Sequence, residues 1–565
     1  MKCTERSLEK SLNSVKSMTK KGKKRKNDWW EEYLKYLDSN PTSISRLVEK
    51  LTPRHPILSE EKVFIKKKYE LWPFQTNILN EMLSTPKALV LGLPTGLGKT
   101  FIAGAYLEAI SLNRGIRALF LVPSIPLGVQ QTIFAREQLN VKNAYFISGN
   151  ISPEKRRELR VWNAGFVVTT PQTFANDFLY AFESALKDAR EMRNPLPYLK
   201  EFLKDADFKF PYDVVVADEC QRYIGETDGY SILLVAAACK VNILALSATP
   251  QLHAPHRLEE LKKVFDKINV FSIEDPSIKQ HIPSRILHII KIPPPDELLE
   301  LYRAFDKVIG VIEKQIKEKY GAEHLKLNCT EHSLCRKRMS FKMLKFRVIE
   351  NGASSVIKYT TWRLKELKLP LEELNGKSIL EIYRKTLTKC FNHKIEVALK
   401  ILEREAYKKA IIFAEGVEVV KQLGRRLQEK MGFEKVAILV GKGHMKLEQQ
   451  ASALMQFKER AEILVTTSVG EEGLDIPVAD IEIWIDPPSN PKKWIQRFGR
   501  ILRKPSKNKV ARTYALITLR THEKTKLMSV MKKTERIYGF TQKVVYEDLS
   551  QVLKRQKTLI SFLTN

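Results

Sequence analysis

The sequence comprises 565 residues, of which 43% are hydrophobic and 28% are charged, a composition typical of a globular protein. A chain of this length exceeds what one hydrophobic core usually supports, so two or three domains are expected. The formal net charge of +31 favours a polyanionic partner such as DNA or RNA, although a lysine-rich surface of the kind found in thermophile proteins gives a similar excess.

The six cysteines lie far apart along the chain, which indicates a reducing compartment and not a disulfide framework. His324, Cys329, His332 and Cys335 are close in sequence, but their spacing matches no common zinc module. No segment reaches the ~18 consecutive apolar residues of a transmembrane helix, and the N-terminus lacks the hydrophobic region of a signal peptide. We therefore expect no membrane partner and a cytoplasmic, nucleoid-associated protein, or a nuclear one in a eukaryote.

The N-terminal residues 1–27 are polar and end in KKGKKRKN, which predicts a flexible basic arm. Such an arm is equally consistent with a phosphate-binding tail, a nuclear import signal and a merely solvated end. From DWWEEYLKYL onward, apolar residues recur with a spacing near 3.6, which predicts a helical segment over residues 28–68.

Short apolar runs alternate with amphipathic stretches in two regions, 69–284 and 396–540. The first region contains KALVLGLP, RALFLVP, GFVVTTP, YDVVVADE and VNILALSATP, and the second contains KKAIIFAE, KVAILVGKG, AEILVTTSVG, IEIWIDPP and ARTYALIT. Because runs without a polar face suit strands that are covered on both sides, each region is predicted to be an α/β lobe with a parallel sheet.

The region between the lobes, 285–395, lacks strand-like runs and is rich in helix formers, so a helical insertion is predicted there. Within it, CRKRMSFKMLKFR places basic residues among Met, Leu and Phe. This pattern suits contact with a phosphate backbone, and it also suits any exposed basic helix face.

The segment LVLGLPTGLGKT is an apolar run followed by a glycine-bearing loop and an amphipathic stretch, which is the context of a phosphate-binding loop. The predicted nucleotide-binding residues of this loop are Leu93, Pro94, Thr95, Gly96, Leu97, Gly98, Lys99 and Thr100. Gly96 and Gly98 allow backbone amides to face a phosphate, and Lys99 supplies a charge near the β- and γ-oxygens. An ordinary strand-to-helix turn also uses glycines, but it has no need of a lysine at the helix start.

The segment VVVADECQ is an apolar run that ends in two acids. Asp218 is predicted to hold a Mg²⁺ ion that the Thr100 hydroxyl also contacts. Glu219 is predicted to orient the attacking water or accept its proton, and Gln221 to sense the γ-phosphate. Strands that end in solvated acids are common, and the phosphate loop earlier in the same lobe is what favours a catalytic interpretation.

The segment QRFGRILRK in the second lobe carries Gln496, Arg500 and Arg503. The two arginines share one side of a helix if the segment is helical, and two guanidinium groups aimed at a γ-phosphate stabilise the charge of phosphoryl transfer. A basic helix face without a ligand is the alternative.

The order and spacing of these motifs resemble those of superfamily 2 helicases over most of residues 70–520. In that family's terms, LWPFQ with Gln75 is similar to the adenine-sensing Q motif, and LPTGLGKT, DECQ and QRFGRILR are similar to motifs I, II and VI. FLVPSIPL, TTPQTF, SAT, IIFAE and TTSVGEEGLDIP are similar to motifs Ia, Ib, III, IV and V. The resemblance implies two RecA-like P-loop NTPase lobes with ATP and Mg²⁺ between them.

The resemblance also implies roles for further residues. Additional nucleotide contacts are expected from Gly473, Asp475 and Gln496. Contacts with the nucleic acid are expected from Pro123, Ser124, Thr170, Pro171 and Thr467, and coupling between the two sites is expected from Ser247 and Thr249.

Within the superfamily, LPTGLGKT, TTPQTFAND and TSVGEEGLDIP are most similar to the Hef and FANCM group, which remodels branched DNA and carries a helical insertion between its lobes. Three features depart from that group: Asp-Glu-Cys-Gln replaces the usual Asp-Glu-Ala-His, FGRILRK replaces RGRTGR, and no nuclease-like sequence is recognised after the second lobe. The expected function is an ATP-hydrolysing DNA helicase or translocase in replication or repair. An RNA helicase or double-stranded-RNA-dependent ATPase is the alternative, and a scaffold without turnover is a third reading, against which the intact motif residues argue.

The C-terminal residues 541–565 are predicted to be a tail. In RQKTLISFLTN, Gln556, Leu559 and Phe562 resemble the short peptide by which replication proteins dock on the sliding clamp, with Leu563 in place of a second aromatic residue. A terminal amphipathic turn that packs on its own protein is the alternative.

Overall fold

The computed structural model describes residues 29–39, 44–84, 87–94, 96–248, 255–325, 332–350, 382, 386, 392–441, 443–470, 476, 479–501 and 510–550. Several predictions therefore concern residues outside the described ranges: the basic arm, the clamp-binding peptide with Gln556, Leu559 and Phe562, and the site residues Thr95, Thr249, Gly473, Asp475 and Arg503.

Two α/β lobes and a helical unit make up the described chain. Two helices, α1 (29–39) and α2 (Ile44–Leu51), precede the first lobe. The first lobe contains, in chain order, α3 (Pro73–Leu83), β1 (Ala88–Gly92), α4 (Lys99–Ser111), β2 (Ala118–Leu121), α5 (Ile125–Gln138), β3 (Ala144–Ile147), α6 (Pro153–Glu158), β4 (Phe166–Thr169), α7 (Pro171–Phe178), α8 (Glu183–Glu191), α9 (Pro195–Asp205), β5 (Val214–Ala217), α10 (Asp228–Ala238), β6 (Asn242–Ser247), α11 (Pro255–Val264), β7 (Lys267–Val270) and α12 (Pro276–Lys279).

The second lobe begins with β8 (Ser284–Ile292), which is followed by the helical unit, α13 (Asp296–Tyr320) and α14 (Ser333–Glu350). The second lobe then continues with α15 (Lys394–Arg404), β9 (Ala410–Phe413), α16 (Val417–Met431), β10 (Val436–Leu439), α17 (Leu447–Glu459), β11 (Ile463–Thr466), β12 (Ile481–Trp484), α18 (Pro491–Phe498), β13 (Val510–Thr518), α19 (Glu523–Tyr538) and β14 (Lys543–Asp548).

Each lobe is built on a seven-stranded parallel sheet, which confirms the predicted two-lobe α/β architecture. Eight of the strands are buried on both faces: every residue of β1, β2, β4 and β5, and of β9 to β12, is buried. These are the continuous apolar runs of the sequence, and their burial against helices on both sides supplies the hydrophobic free energy of each lobe, about 25 cal/mol per Å² of apolar surface.

The strand order of the first sheet, β3-β4-β2-β5-β6-β1-β7, determines which segments become neighbours. Since the carboxyl ends of parallel strands share one edge, the segments that follow β4, β2, β5, β6 and β1 lie side by side in that order. The described residues of TTPQTF, VPSIPL, DECQ, SAT and LPTGLGKT, which exclude Thr95 and Thr249, belong to these segments. The second sheet has the order β10-β11-β9-β12-β13-β8-β14.

Two predicted domain boundaries are wrong. The strand-free insertion does not begin at 285, because Ser284–Ile292 forms β8, which pairs with β13 and β14 in the second sheet. The predicted tail 541–565 likewise begins with a strand, β14. β8 and β14 are only partly buried, so fewer of their residues need to be apolar. They therefore lack the continuous apolar runs from which the fully buried strands were predicted.

The helical unit uses much of its basic sequence internally. Arg338 contacts Glu313 at 2.7 Å and Lys342 contacts the same carboxylate at 3.0 Å, while Lys345 pairs with Asp306. These ion pairs join α13 to α14 around a buried apolar cluster. The predicted contact of this region with nucleic acid stays a prediction, and three of the cations that motivated it already have acidic partners.

The N-terminal helices bridge the two lobes. Tyr33 of α1 is fully buried against the second lobe, where its hydroxyl accepts a hydrogen bond from the Ile438 amide (2.9 Å) and donates one to Gln456 Oε1 (3.3 Å). Burial raises the pKa of the Tyr33 phenol, which keeps it a neutral donor. Helix α2 then packs on α5 and β3 of the first lobe and on α17 of the second.

The predicted helical segment 28–68 is helical only in its first half. Beyond α2 the chain runs extended along the first lobe, where Val63 forms an antiparallel bridge with Ile116 and the Ile57 amide donates to Leu159 O at 3.0 Å. In the described part of the chain, none of the helices combines the length and apolar character required to cross a bilayer.

We predict that Tyr33→Phe loosens the N-terminal bridge, because it leaves the buried Ile438 amide and the Gln456 oxygen without this partner, at a cost of about 1–3 kcal/mol. The expected result is a lower midpoint of thermal unfolding and faster proteolysis between α1 and α2. Tyr180→Phe is the matched control, since Tyr180 is 76% exposed and should tolerate the change. Equal proteolysis of the two variants would contradict the bridge.

Candidate active site

The loop between β1 and α4 has the geometry of a phosphate-binding loop. Gly98 precedes α4 with φ = +83°, and a Cβ atom there would lie 2.4 Å from Gln75 Nε2, so the position admits only glycine without a local shift. Lys99 is the first residue of α4, and its ammonium donates to Leu93 O at 2.9 Å within the loop. A lysine charge beside the amides of a helix N-terminus favours a phosphate at this place.

Gln75 holds the loop from the side of α3. Its Oε1 accepts a hydrogen bond from the Trp72 amide (2.9 Å), and its Nε2 donates to Leu97 O (3.0 Å). Trp72, which the sequence did not single out, stacks on His281 with the ring centroids 5.7 Å apart. The predicted role of Gln75 in sensing adenine stays a prediction, while its position beside the loop follows from these contacts.

The two acids after β5 are held in different ways. Asp218 is buried; its Oδ2 accepts from Gln131 Nε2 (3.0 Å) and its Oδ1 accepts from the Glu219 amide (2.9 Å). Burial and then the charge of Glu219 raise the pKa of the Asp218 carboxyl, and the Lys99 charge opposes the increase. Glu219 adopts φ = +52°, a left-handed conformation that is uncommon outside glycine and concentrates at functional sites.

A hydrogen-bonded chain connects Glu219 to the segment after β6. Gln221 Nε2 donates to Glu219 Oε2, and the Ser247 hydroxyl donates to Gln221 Oε1 at 2.6 Å. Cys220 and Gln221 both depart from the group's usual sequence: Cys220 is buried in the apolar core of the first lobe, and Gln221 is the middle member of this hydrogen-bonded chain.

These residues fit a magnesium nucleotide. Hydroxyl and carboxylate oxygens are the protein ligands that Mg²⁺ prefers, and Thr100 at the start of α4 and Asp218 after β5 supply them. Two neighbouring carboxylates beside one lysine leave a local excess of negative charge that a cation would balance. Thr100 and Asp218 would hold the metal, and the residues of the glycine-bearing loop would hold the phosphates.

The residues predicted to contact nucleic acid all follow the carboxyl end of a strand. Pro123 and Ser124 lie between β2 and α5, Thr170 lies between β4 and α7, Pro171 is the first residue of α7, and Thr467 follows β11. Each follows the carboxyl end of a parallel strand, and Ser124 and Thr170 are the N-cap residues of their helices. Their contact with a phosphate backbone stays a prediction.

In the second lobe, α18 carries the basic motif. Arg497 is fully buried and donates to Asp486 O (2.8 Å) and to Glu415 Oε1 (3.0 Å). Lys493 shares the same carboxylate at 2.9 Å. Burial opposes ionisation of Glu415, but the charges of Arg497 and Lys493 outweigh it and lower the pKa of this carboxyl. Glu415 and Lys493 were not predicted; the only sequence signal was an acid at the end of the apolar run IIFAE.

The structure brings Lys99, Asp218, Glu219, Gln221 and Ser247 of the first lobe together at neighbouring strand ends. Gln496 is buried in α18, and Arg500 follows the helix, with its amide bonded to Arg497 O at 2.9 Å. Ile495 of α18 and Pro94 of the phosphate-binding loop line the same cleft between the lobes. The direct approach of Arg500 to a γ-phosphate stays a prediction.

Two family models match the chain. The DEAD/DEAH box helicase model matches residues 72–258, and the helicase conserved C-terminal domain model matches residues 393–505. Together they cover just over half of the chain, and they contain the described site residues of both lobes.

Curated relatives are similar over most of this chain. A protein of Methanocaldococcus jannaschii named as an ATP-dependent RNA helicase is 24% identical over 489 residues, which cover 80% of this chain and 59% of the relative. The ATP-dependent DNA helicase mph1 of Neurospora crassa is 25% identical over 486 residues, which cover 74% of this chain and 39% of the relative. The chain therefore spans less than two thirds of the length of each of these relatives.

Among solved structures, the helicase domain of Hef from Pyrococcus furiosus is similar with a TM-score of 0.54 and 21% identity. The likeness covers 81% of this chain and 97% of that one, and it shows a common fold.

We predict that Gly98→Ala weakens binding of a fluorescent ATP analogue about tenfold or more, because a left-handed alanine costs roughly 1–2 kcal/mol and the new methyl group must displace Gln75. Equilibrium titration followed by fluorescence anisotropy measures this. Gly149→Ala is the control, since a Cβ atom there meets nothing within 4 Å. Unchanged affinity in the Gly98 variant would contradict the assignment of the loop.

Proposed function

The chain belongs to the superfamily 2 helicases, and from this premise we propose that it is an ATP-hydrolysing DNA helicase or translocase that acts on forked or branched DNA. One observation carries the proposal: Lys99, Asp218, Glu219 and Ser247 lie on adjoining strand ends, next to the segments after β2 and β4 that are predicted to hold a nucleic-acid backbone. A motor needs its nucleotide site and its nucleic-acid site to be close together, because one movement at the carboxyl edge of the sheet then acts on both the nucleotide and the nucleic acid.

The first-lobe residues would bind and orient the nucleotide. The amides of the loop and the Lys99 ammonium would surround the β- and γ-phosphates, and Gln75 would hold the loop in place. Thr100 and Asp218 would hold Mg²⁺, which when bound neutralises phosphate charge and polarises the transferred group. Glu219 would orient the attacking water and accept its proton, with its carboxylate fixed by the Gln221 amide.

The second lobe would complete the site when the cleft closes. Arg500 and Arg503 would stabilise the charge that develops on the γ-phosphate, and Gln496, Gly473 and Asp475 would add nucleotide contacts. The buried Arg497 fixes α18 to the ends of β9 and β12 through Glu415 and Asp486. Because α18 is held rigidly, the arginines that follow it would reach the γ-phosphate only when the whole lobe moves. Hydrolysis would then depend on closure of the cleft.

Coupling would run through the hydrogen-bonded chain at the strand ends. Ser247, at the end of β6, lies between the segments that follow β5 and β1, and it connects to Glu219 through Gln221. Thr249 is proposed to share this coupling role. Pro123, Ser124, Thr170, Pro171 and Thr467 would hold the phosphates of one strand across both lobes. Loss of the γ-phosphate would reopen the cleft and advance the strand.

DNA is proposed over RNA because several relatives, including mph1 of Neurospora crassa and fml1 of Schizosaccharomyces pombe, are named as DNA helicases. The name of the Methanocaldococcus jannaschii relative supports RNA as the second candidate. Residence at the nucleoid or in the nucleus follows from a DNA substrate. Docking on a sliding clamp through Gln556, Leu559 and Phe562 stays a prediction, and clamp capture that survives Phe562→Ala would overturn it.

We predict that forked DNA stimulates the ATPase rate about tenfold or more and that Glu219→Gln lowers the stimulated kcat by about 10²–10⁴, the range for loss of a general base. Steady-state assays with forked DNA, single-stranded DNA and RNA measure both effects. Glu201→Gln, an exposed acid on α9, is the matched control and should retain full activity. Stimulation by none of the three nucleic acids would refute the motor, and stimulation by RNA alone would select the second candidate.

We further predict that Ser247→Ala separates hydrolysis from movement, because Gln221 loses the hydroxyl that connects it to the end of β6. The DNA-stimulated ATPase should fall less than about threefold, whereas strand displacement or translocation per ATP should fall about tenfold. Ser231→Ala removes a buried serine hydroxyl of α10, which accepts from Arg190 and donates to Thr227 O but has no bond to Gln221, and should leave the ratio unchanged. A parallel loss of both activities in the Ser247 variant would contradict the coupling role.

A further inference from the structure

We propose that Gln131 is a positioning residue of the nucleotide site, which fixes the metal-binding carboxylate of Asp218 to the helix that follows the segment predicted to hold DNA. The inference rests on the proposed function and adds to it a residue that lies outside the sequence motifs.

The geometry begins with a buried contact. Gln131 is 3% exposed and Asp218 is 6% exposed, and the Gln131 amide nitrogen donates to Asp218 Oδ2 at 3.0 Å. The other carboxylate oxygen accepts from the Glu219 amide, so the plane of the carboxylate is determined from both sides. The opposite orientation of the glutamine amide would place two acceptor oxygens together, so the donor must face the aspartate.

The helix that carries Gln131 is rigidly seated. At Gly128, one turn before Gln131, a Cβ atom would lie 2.0 Å from the ring of Phe146 in β3, so α5 packs against the sheet at backbone distance. The Thr132 hydroxyl donates to Gly128 O at 2.8 Å. A helix packed this closely moves as one body with the strand ends on which it rests.

The same helix begins at the predicted DNA segment. Ser124 is its N-cap and Gln131 lies two turns further on, roughly 10 Å along the axis at 1.5 Å per residue. One rigid element and one hydrogen bond therefore join the Asp218 carboxylate to the segment that is predicted to hold a phosphate backbone. This path is separate from the one that runs through Ser247 and Gln221 to Glu219.

A second observation points toward the ligand. Gln131 Oε1 is buried and accepts no hydrogen bond from the described residues. A buried amide oxygen without a donor is unfavourable by about 1–3 kcal/mol. Mg²⁺ usually keeps several of its waters, and such a water beside Asp218 is the donor that this oxygen suits. Gln131 would then contact both the ligand carboxylate and the hydration shell of the ion.

The test separates metal-dependent from metal-independent binding. A fluorescent ATP analogue is titrated into the full chain with MgCl₂ or with EDTA, for wild type, Gln131→Met and Gln131→Asn. Loss of a partner that orients a metal ligand lowers metal affinity by about 10–100-fold, so we expect affinity in MgCl₂ to fall about tenfold in both variants. Affinity in EDTA should change less than about twofold, because the phosphate-binding loop is untouched.

Gln428→Met is the matched control. Gln428 is 4% exposed in the second lobe, donates to Val436 O at 2.9 Å and has a buried Oε1 without a partner, yet lies away from Asp218. It should leave both affinities at the wild-type value. If the Gln131→Met protein does not fold, the test is made with Gln131→Asn. The asparagine side chain keeps a polar group but is too short to reach the Asp218 carboxylate.

The outcomes distinguish this inference from the proposed function. A wild-type chain that binds no nucleotide under either condition defeats the proposed function. A wild-type chain that binds nucleotide in a Mg²⁺-dependent way, together with a folded Gln131 variant of identical Mg²⁺ dependence, defeats the positioning role alone. Equal losses in MgCl₂ and EDTA also overturn it, because they indicate a general structural defect.

Discussion

The position of β5 in the first sheet is the constraint on which the site depends. β5 lies between β2 and β6, so the two acids that follow it emerge between the segment before α5 and Ser247. The strands are buried on both faces, and a shift of one residue in register would exchange the faces of every side chain. The apolar packing of the sheet therefore fixes Asp218 and Glu219 beside their hydrogen-bonding neighbours, and each acid receives a glutamine amide from a different side.

Of the strands in the two sheets, the sequence predicted ten and missed four, most of which lie at sheet edges. The ten continuous apolar runs correspond to β1, β2, β4, β5, β6 and to β9 through β13. The four missed strands are β3, β7, β8 and β14; three of them form sheet edges, and all four include partly exposed residues. A strand with one covered face needs fewer apolar residues, so a short amphipathic segment such as KINV carries too little signal to be separated from a loop.

The same distinction applies to the site. The positions of Lys99, Asp218 and Glu219 near one another were predictable, because the proposed chemistry requires particular residue types at fixed places after a strand. Gln131 and Glu415 were not, because their roles arise from contacts between elements and no local pattern marks them. Tyr33 is the extreme case: its partner Ile438 lies 405 residues away, and a lone tyrosine in an amphipathic helix gives no indication of which lobe it will contact.

The N-terminal bridge limits how the two lobes can move. The chain crosses between them at α1 and α2, where Tyr33 anchors the second lobe, and again before β8, where Ser272 donates to Tyr538 O at 3.3 Å. Bodies joined at two separated places can rotate about the line between the joints, but they cannot separate without breaking one of them. Opening of the cleft is thereby expected to be a rotation about this line. In the proposed function, loss of the γ-phosphate would release that rotation and move the strand-end segments of the two lobes relative to each other.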